Sequence, residues 1–69
     1  MIRIRVNQYC KINGYADATA IFKVIVRHKE YGIPVFSVEL VSSDTQKSGK
    51  QIRMDGSYLI PTNKEGEEK

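Results

Sequence analysis

The chain has 69 residues, of which 41% are hydrophobic and 28% are charged, so it forms one domain with a thin core rather than two domains or a disordered chain. The formal net charge is +3, and the excess of lysine and arginine lies in residues 1–53, whereas the C-terminal end is acidic. A basic body is compatible with a polyanionic partner, but a soluble domain with surplus lysine has the same composition.

Residue usage excludes several kinds of site and segment. Cys10 is the only cysteine, so an intrachain disulfide is excluded, and with His28 as the only histidine the two do not make a structural zinc site by themselves. No run approaches the roughly 20 apolar residues of a membrane span, and the N-terminus has no signal-peptide core. We therefore predict a mature cytoplasmic protein without membrane contact, metal or cofactor.

The N-terminal residues predict a short strand followed by a short helix. Ile2, Ile4 and Val6 alternate with arginines, as in a strand with one buried face. Asn7 is a typical helix N-cap, and Gly14 is typical of the left-handed residue that ends a helix. The sequence therefore predicts a first helix that starts at Asn7 and stops at a tight turn at Gly14.

Residues 17–31 fit two interpretations, of which we favour a second helix. Asp17 is a typical N-cap, while Gly32 and Pro34 are typical of the end of a helix. Against a helix, residues 24–26 are all β-branched, and apolar residues alternate with charged ones through this segment. The alternative is a long β-hairpin that turns near Gly32.

The second half of the chain predicts strands and loops. Residues 36–40 alternate apolar and polar side chains, which indicates a strand. Residues 42–50 are polar and contain a glycine, which indicates a mobile loop. Asp55 and Gly56 form a turn sequence between two β-like runs, so we predict a C-terminal hairpin there.

Three stretches resemble the winged helix-turn-helix of excisionases and the wider MerR-like group. They are V-N-Q-Y-C-K-I-N-G-Y at residues 6–15, G-I-P at residues 32–34 and M-D-G-S-Y-L-I-P at residues 54–61. The resemblance implies an α+β fold with a short N-terminal strand, two helices and a C-terminal β-hairpin wing. The winged domain would span residues 1–61 and leave residues 62–69 as a flexible acidic tail.

The same resemblance implies a non-enzymatic DNA-binding protein that acts in DNA recombination or transcription regulation. Its second helix would lie in the major groove of double-stranded DNA, and its basic wing would lie on the backbone. Copies of the protein on adjacent sites would bend the DNA for a recombinase. The candidate DNA-binding residues are Thr19, Lys23 and Arg27 on the helix and Lys47, Lys50 and Arg53 on or near the wing. A solvated helix face explains the helix residues equally well.

An all-β fold, a five-stranded meander or small barrel, stays open as the alternative. Turn sequences at residues 13–14, 31–32 and 55–56 favour it. Such a domain would bind a protein or, with its four tyrosines as stacking surfaces, single-stranded nucleic acid. A third interpretation is a phage or plasmid inhibitor that binds only a protein partner.

Catalysis has no support in the sequence. His28 has no serine or cysteine partner in a recognisable motif, and Gly49 stands alone rather than in a phosphate-binding loop. Cys10 is expected to pack in the core rather than to react. We therefore predict no enzyme activity.

Overall fold

The structure, a computed structural model, describes residues 4–30 and 32–63, which form an antiparallel sheet of five strands. The strands are β1 (Tyr9–Ile12), β2 (Ile21–Glu30), β3 (Ile33–Ser42), β4 (Gln51–Asp55) and β5 (Leu59–Thr62), and a 3₁₀ turn at Gly56–Tyr58 joins the last two. The described part of the chain contains no α-helix. The fold is therefore all-β.

The strand order β4-β3-β2-β1-β5 brings the last strand back to the first. Strands β1 to β4 form a meander, and β5 then pairs with β1 at the other edge of the sheet. In a flat sheet of five strands the two edges would lie about 19 Å apart. The three residues of the 3₁₀ turn advance the chain by only about 6 Å, so the sheet must curl until its two edges approach each other.

One face of the curled sheet, the inner face, holds the core. Phe22 and Val24 of β2 are buried and lie opposite Leu40 and Val38 of β3. On β1, Cys10 lies opposite Phe22 and is also fully buried. The prediction that Cys10 packs in the core is confirmed. The side chains that alternate with these residues point to the outer face.

A β-bulge at Ile25 changes the phase of β2 halfway along its length. Between Val24 and Val26 the register against β3 shifts by one residue, which leaves Ile25 as the extra residue. Before the bulge, Val24 points to the inner face. After it, Val26 and His28 share the outer face with Ser37 of β3. The bulge therefore turns the apolar side chain of Val26 away from the core.

The predicted second helix over residues 17–31 is wrong. Ten of these residues form β2, and Asp17 precedes them in a loop, where its carboxylate accepts the backbone N–H of Thr19 at 2.9 Å. Gly32 has the positive φ, 78°, of a residue in a tight hairpin turn. Aspartate and glycine suit turns as well as helix ends, so the β-branched residues 24–26 decide for a strand.

The predicted first helix from Asn7 to Gly14 is also wrong. Asn7 has a φ of 73° and lies in a β-turn, in which the N–H of Gln8 donates to the carbonyl of Arg5 at 3.1 Å. Strand β1 follows, and a turn with Gly14 at φ 82° comes after it. Asparagine tolerates this left-handed conformation in turns. The predicted strand at residues 2–6 lies partly outside the described residues, and its described part is not a strand.

The predicted C-terminal hairpin wing is wrong because β4 and β5 do not pair with each other. Asp55 instead caps the 3₁₀ turn, where its carboxylate accepts the backbone N–H of Ser57 at 2.8 Å. Gly56 runs so close to the core that a Cβ atom there would lie 2.6 Å from Cε2 of Phe36. The turn therefore carries the chain from one edge of the sheet to the other.

These corrections overturn the resemblance to excisionases and with it the α+β winged helix-turn-helix. The alternative, an all-β fold of five strands, is confirmed, as is the predicted strand through residues 36–40. Strand β5 reaches Thr62, one residue beyond the predicted end of the domain. Residues 64–69 of the predicted tail lie outside the described residues.

Candidate interaction surface

The six predicted DNA-binding residues do not lie together. Two lie on the outer face, one lies on the opposite side of the sheet, and three lie in loops. The outer-face residues are Lys23 and Arg53, the residue on the opposite side is Arg27, and the loop residues are Thr19, Lys47 and Lys50. Their charges do not combine into one basic face, and the helix that was to carry three of them into the major groove is a loop and a strand.

Charges of both signs alternate across the outer face. Tyr9, Lys23, Glu39 and Gln51 lie side by side in one row across four strands. The Nζ atom of Lys23 lies 5.9 Å from the centre of the Tyr9 ring, a cation–π distance. At the other end of the row, Nε2 of Gln51 donates to Oε2 of Glu39 at 3.4 Å. Because Lys23 has a glutamate directly opposite, this row is not a continuous stripe of positive charge.

Toward its turn, the β2–β3 hairpin extends past both neighbouring strands, β1 and β4. On the β1 side, the backbone hydrogen bonds to β2 end at Val24, whose carbonyl accepts the N–H of Asn7 at 2.7 Å. On the other side, β4 ends opposite Val35. Within the described residues, 26–30 and 33–34 therefore form a two-stranded ribbon without further strands beside it, which we call the projecting ribbon.

Near the turn between β2 and β3, the outer side of the hairpin exposes apolar side chains. Val26 is 43% exposed and Ile33 is 49% exposed. Beside them, Nε2 of His28 and Oγ of Ser37 are hydrogen-bonded at 2.9 Å. We call Val26, His28, Ile33 and Ser37 the tip surface. Exposed apolar side chains with polar groups beside them are typical of surfaces that bind other proteins.

At the opposite end of the hairpin, one carboxylate ties two loops together. Asp17 of the β1–β2 loop accepts hydrogen bonds from the hydroxyls of Ser43 and Thr45, the latter at 2.8 Å. Nε2 of Gln46 donates to the same carboxylate at 3.3 Å, and the hydroxyl of Thr19 donates at 2.6 Å. The bond from Ser43, followed by those from Thr19 and Thr45, holds the pKa of Asp17 well below its usual value. The ionised carboxylate is therefore the form that joins the loops.

Neither this cluster nor the cysteine is arranged for nucleophilic catalysis. A serine nucleophile needs a base that accepts its proton near neutral pH, and the lowered pKa makes Asp17 a weak base. Burial raises the pKa of the Cys10 thiol to about 11, so the thiolate is scarce at pH 7.

The described part of the chain offers neither a metal site nor a membrane-spanning helix. No group of three or more His, Cys, Asp or Glu residues within 4–30 and 32–63 is placed to hold a metal ion. In the same residues, no helix has the length and apolar character needed to cross a membrane.

Sequence reasoning missed both the loop contacts of Asp17 and the tip surface. The sequence around Asp17 predicts a helix cap, although the hydroxyl-rich sequence S-S-D-T-Q at residues 42–46 is a source of donors for a carboxylate. In the predicted helix, Thr19, Lys23 and Arg27 would form one polar stripe, and Val26 would lie at its edge, where an apolar side chain does not fit. That misfit was the available indication that Val26 is exposed.

Comparison with known proteins adds no relative. No protein-family model matches the chain, and neither a curated protein nor a solved structure is significantly similar to it. Its function is therefore argued from the geometry of its own residues.

Proposed function

We propose that this chain is a small, non-enzymatic β domain that binds a protein partner through the tip surface. The observation that carries the proposal is the exposure of Val26 and Ile33 at the end of a hairpin whose other end forms the core. A partner that covers these side chains removes apolar area from water, which contributes roughly 25 cal/mol per Å². The hydrogen-bonded pair of His28 and Ser37 offers polar groups that orient the partner.

The charges on the outer face favour a protein over a nucleic acid. Lys11, Lys23 and Arg53 are cationic, and Glu39 and Asp55 on the same face are anionic. Binding to a phosphate backbone depends on cations that replace counterions, and acidic side chains among those cations oppose it. A protein surface, which presents both signs of charge, complements such a face better.

The proposal includes the absence of catalysis. The hydroxyl of Ser43 donates to a carboxylate that is a weak base, and Cys10 is fully buried. His28 is hydrogen-bonded to Ser37 on the outer face of the sheet, where both side chains are half-buried and the neighbouring Val26 is exposed to water. Active sites, in contrast, exclude water around their reacting groups.

The experiment compares two substitutions of the same chemistry at the two ends of the hairpin. Val26→Asp places a charge on the tip surface, and Val41→Asp is the matched control, because Val41 is 37% exposed and lies away from the tip surface. The full chain and both variants are immobilised and exposed to lysate of the source organism, with nuclease treatment, and bound proteins are quantified by mass spectrometry. We expect a defined protein to be retained by the parent chain and by Val41→Asp and lost with Val26→Asp. Equal retention by all three chains contradicts the proposal.

A second candidate function, binding of single-stranded nucleic acid, is favoured by one observation. Tyr9 and Lys11 share the outer side of β1, and Nζ of Lys23 lies 5.9 Å from the Tyr9 ring centre. A ring beside two cations suits base stacking with phosphate contacts. Fluorescence anisotropy with a labelled oligonucleotide at low salt tests it, with Tyr9→Ala as the variant that should lose binding. No binding by the parent chain rejects this candidate and leaves the protein partner.

A further inference from the structure

Although β2 is the middle strand of the sheet, its second half has an open edge. Strand β1 pairs with β2 at Tyr9 and Cys10, and the chain before it reaches Val24. No described strand lies beside the rest of β2, from Ile25 to Glu30, on that side. An edge of this kind presents backbone donors and acceptors to any extended chain that lies along it.

The direction of the backbone groups along this edge follows from the alternation of antiparallel ladders. The N–H of Leu40 donates to the carbonyl of Lys50 at 2.7 Å, so even-numbered residues of β3 bond to β4 and odd-numbered residues bond to β2. After the bulge, the β2 residues opposite the odd-numbered residues of β3 are even-numbered, and they include Val26 and His28. The backbone groups of Val26 and His28 therefore face β3. The N–H and C=O of Arg27, which lies between these two residues, point away from β3 and out of the open edge.

The side chains along this edge define what an added strand must carry. Val26 and His28 lie on the outer side, as part of the tip surface, and the exposed Arg27 lies on the opposite side. In an added strand, the residue opposite Arg27 shares its side of the sheet. A carboxylate at that place forms an ion pair with the guanidinium, and apolar neighbours on the other side cover Val26.

We propose that the protein partner binds by adding an extended strand to the open edge of β2, with acidic residues facing Arg27 and apolar residues facing the tip surface. This inference rests on the proposed function and names its binding mode. A second copy of this chain could also add its β2 edge to this one. Antiparallel pairing centred on Arg27 would place the two arginines directly opposite each other, so their repulsion disfavours such a dimer.

The probe is a synthetic seven-residue peptide that alternates valine with glutamate, and a valine–lysine peptide is its counterpart. Each is titrated into the full chain labelled with ¹⁵N, and chemical shifts and amide hydrogen exchange are followed. We expect the glutamate peptide to shift the amide of Arg27 and to slow its exchange. With Arg27→Glu, affinity for the glutamate peptide should fall about fivefold, the value of a lost cross-strand charge pair, and affinity for the lysine peptide should rise. Lys47→Glu, a change in the exposed β3–β4 loop, is the matched control and should leave both affinities unchanged.

Several outcomes overturn strand addition. One is an equal loss of affinity in the Lys47→Glu control, and another is a set of shifts confined to strands other than β2. Protection of the Arg27 amide in the free chain also overturns it, in favour of a second copy if protection rises with concentration and of another segment of this chain if it does not. If Val26→Asp abolishes retention of the natural partner while Arg27→Glu leaves it intact and neither peptide reaches Arg27, strand addition fails and the proposed function stands. If Val26→Asp leaves retention intact, the proposed function fails whatever the peptides show.

Discussion

The two ends of the β2–β3 hairpin both carry apolar side chains but have opposite roles. At one end Phe22 and Val24 are fully buried, and the adjoining loops are tied together by Asp17. At the other end Val26 and Ile33 are exposed, and the strands have no further strand beside them in the described chain. One hairpin thus supplies both the core and the exposed surface, so substitutions that damage folding and substitutions that damage binding should separate along its length.

Removing the largest side chain of the buried end should have the largest effect on stability. Phe22→Ala leaves a cavity between Cys10 and Leu40, the residues opposite Phe22 on the two neighbouring strands. It should lower the free energy of unfolding by about 3–5 kcal/mol. In a domain of this size such a loss unfolds much of the population. Val26→Ala at the exposed end should change stability by less than about 0.5 kcal/mol. Urea unfolding followed by circular dichroism measures both, and similar losses would show that the projecting ribbon belongs to the core.

The contact between Gly56 and Phe36 marks where the buried end of the hairpin stops. Phe36 is the buried residue of β3 nearest the projecting ribbon, and Gly56 lies against its ring. Gly56→Ala would place a Cβ 2.6 Å from Cε2 of Phe36 and should cost about 1–3 kcal/mol through overpacking. Ser57→Ala, an exposed neighbour in the same turn, is the control and should cost less.

A double-mutant cycle identifies the cause of that loss. In a Phe36→Leu background the aromatic edge is absent, so Gly56→Ala should cost less than it does in the parent chain. If the cost is the same in both backgrounds, the close approach of the turn to Phe36 is not what limits stability. The boundary of the core would then lie elsewhere.

The sequence predicts β3 of this hairpin better than it predicts β2. The alternation through residues 36–40 predicts β3 because nothing interrupts it. In β2 the same alternation is broken by the bulge at Ile25, and a broken period-2 pattern resembles a helical one over a few turns. Asp17 and Gly32 did not resolve the ambiguity, because an aspartate that accepts a turn N–H and a glycine with positive φ serve hairpins and helices alike.

The tip surface and the loop contacts of Asp17 were less predictable than the strands. Both depend on register, since a shift of one residue moves every side chain of a strand to the other face. Hydrogen bonds from Ser43 and Thr45 to Asp17 join residues more than 25 positions apart. Local sequence patterns do not report contacts of that range. Only the pairing of β2 with β3 brings the two loops together.

A third test addresses the loops at the buried end through pH. The pKa of Asp17 is lower in the folded chain than its ordinary value of 3.8, so folding favours the ionised carboxylate. The resulting stabilisation is fully present above that ordinary value and is lost as the pH falls toward the lower pKa of the folded state. Asp17→Asn should therefore lower the melting temperature near neutral pH, and the difference in melting temperature from the parent chain should narrow below pH 3.8.

The matched control is Asp44→Asn, because Asp44 is exposed in the same group of loops and its backbone N–H, not its carboxylate, bonds to Thr19. A constant gap between pH 2 and 7 would contradict the role of the charged form.

The smallest expected change in stability gives the most direct comparison of the two ends. Val26→Cys adds a thiol to the exposed end of a chain whose own thiol, Cys10, is fully buried at the other. Exposed substitutions of this kind alter stability by less than about 0.5 kcal/mol. A thiol reagent at pH 8 should then react with one equivalent at once, while Cys10 reacts only on the time scale of unfolding because burial raises its pKa to about 11. If the introduced thiol is also protected in the free chain, the tip surface is already covered and is not free for a partner. If it reacts at once and is protected only after the valine–glutamate peptide is added, the covering strand lies along the edge of β2.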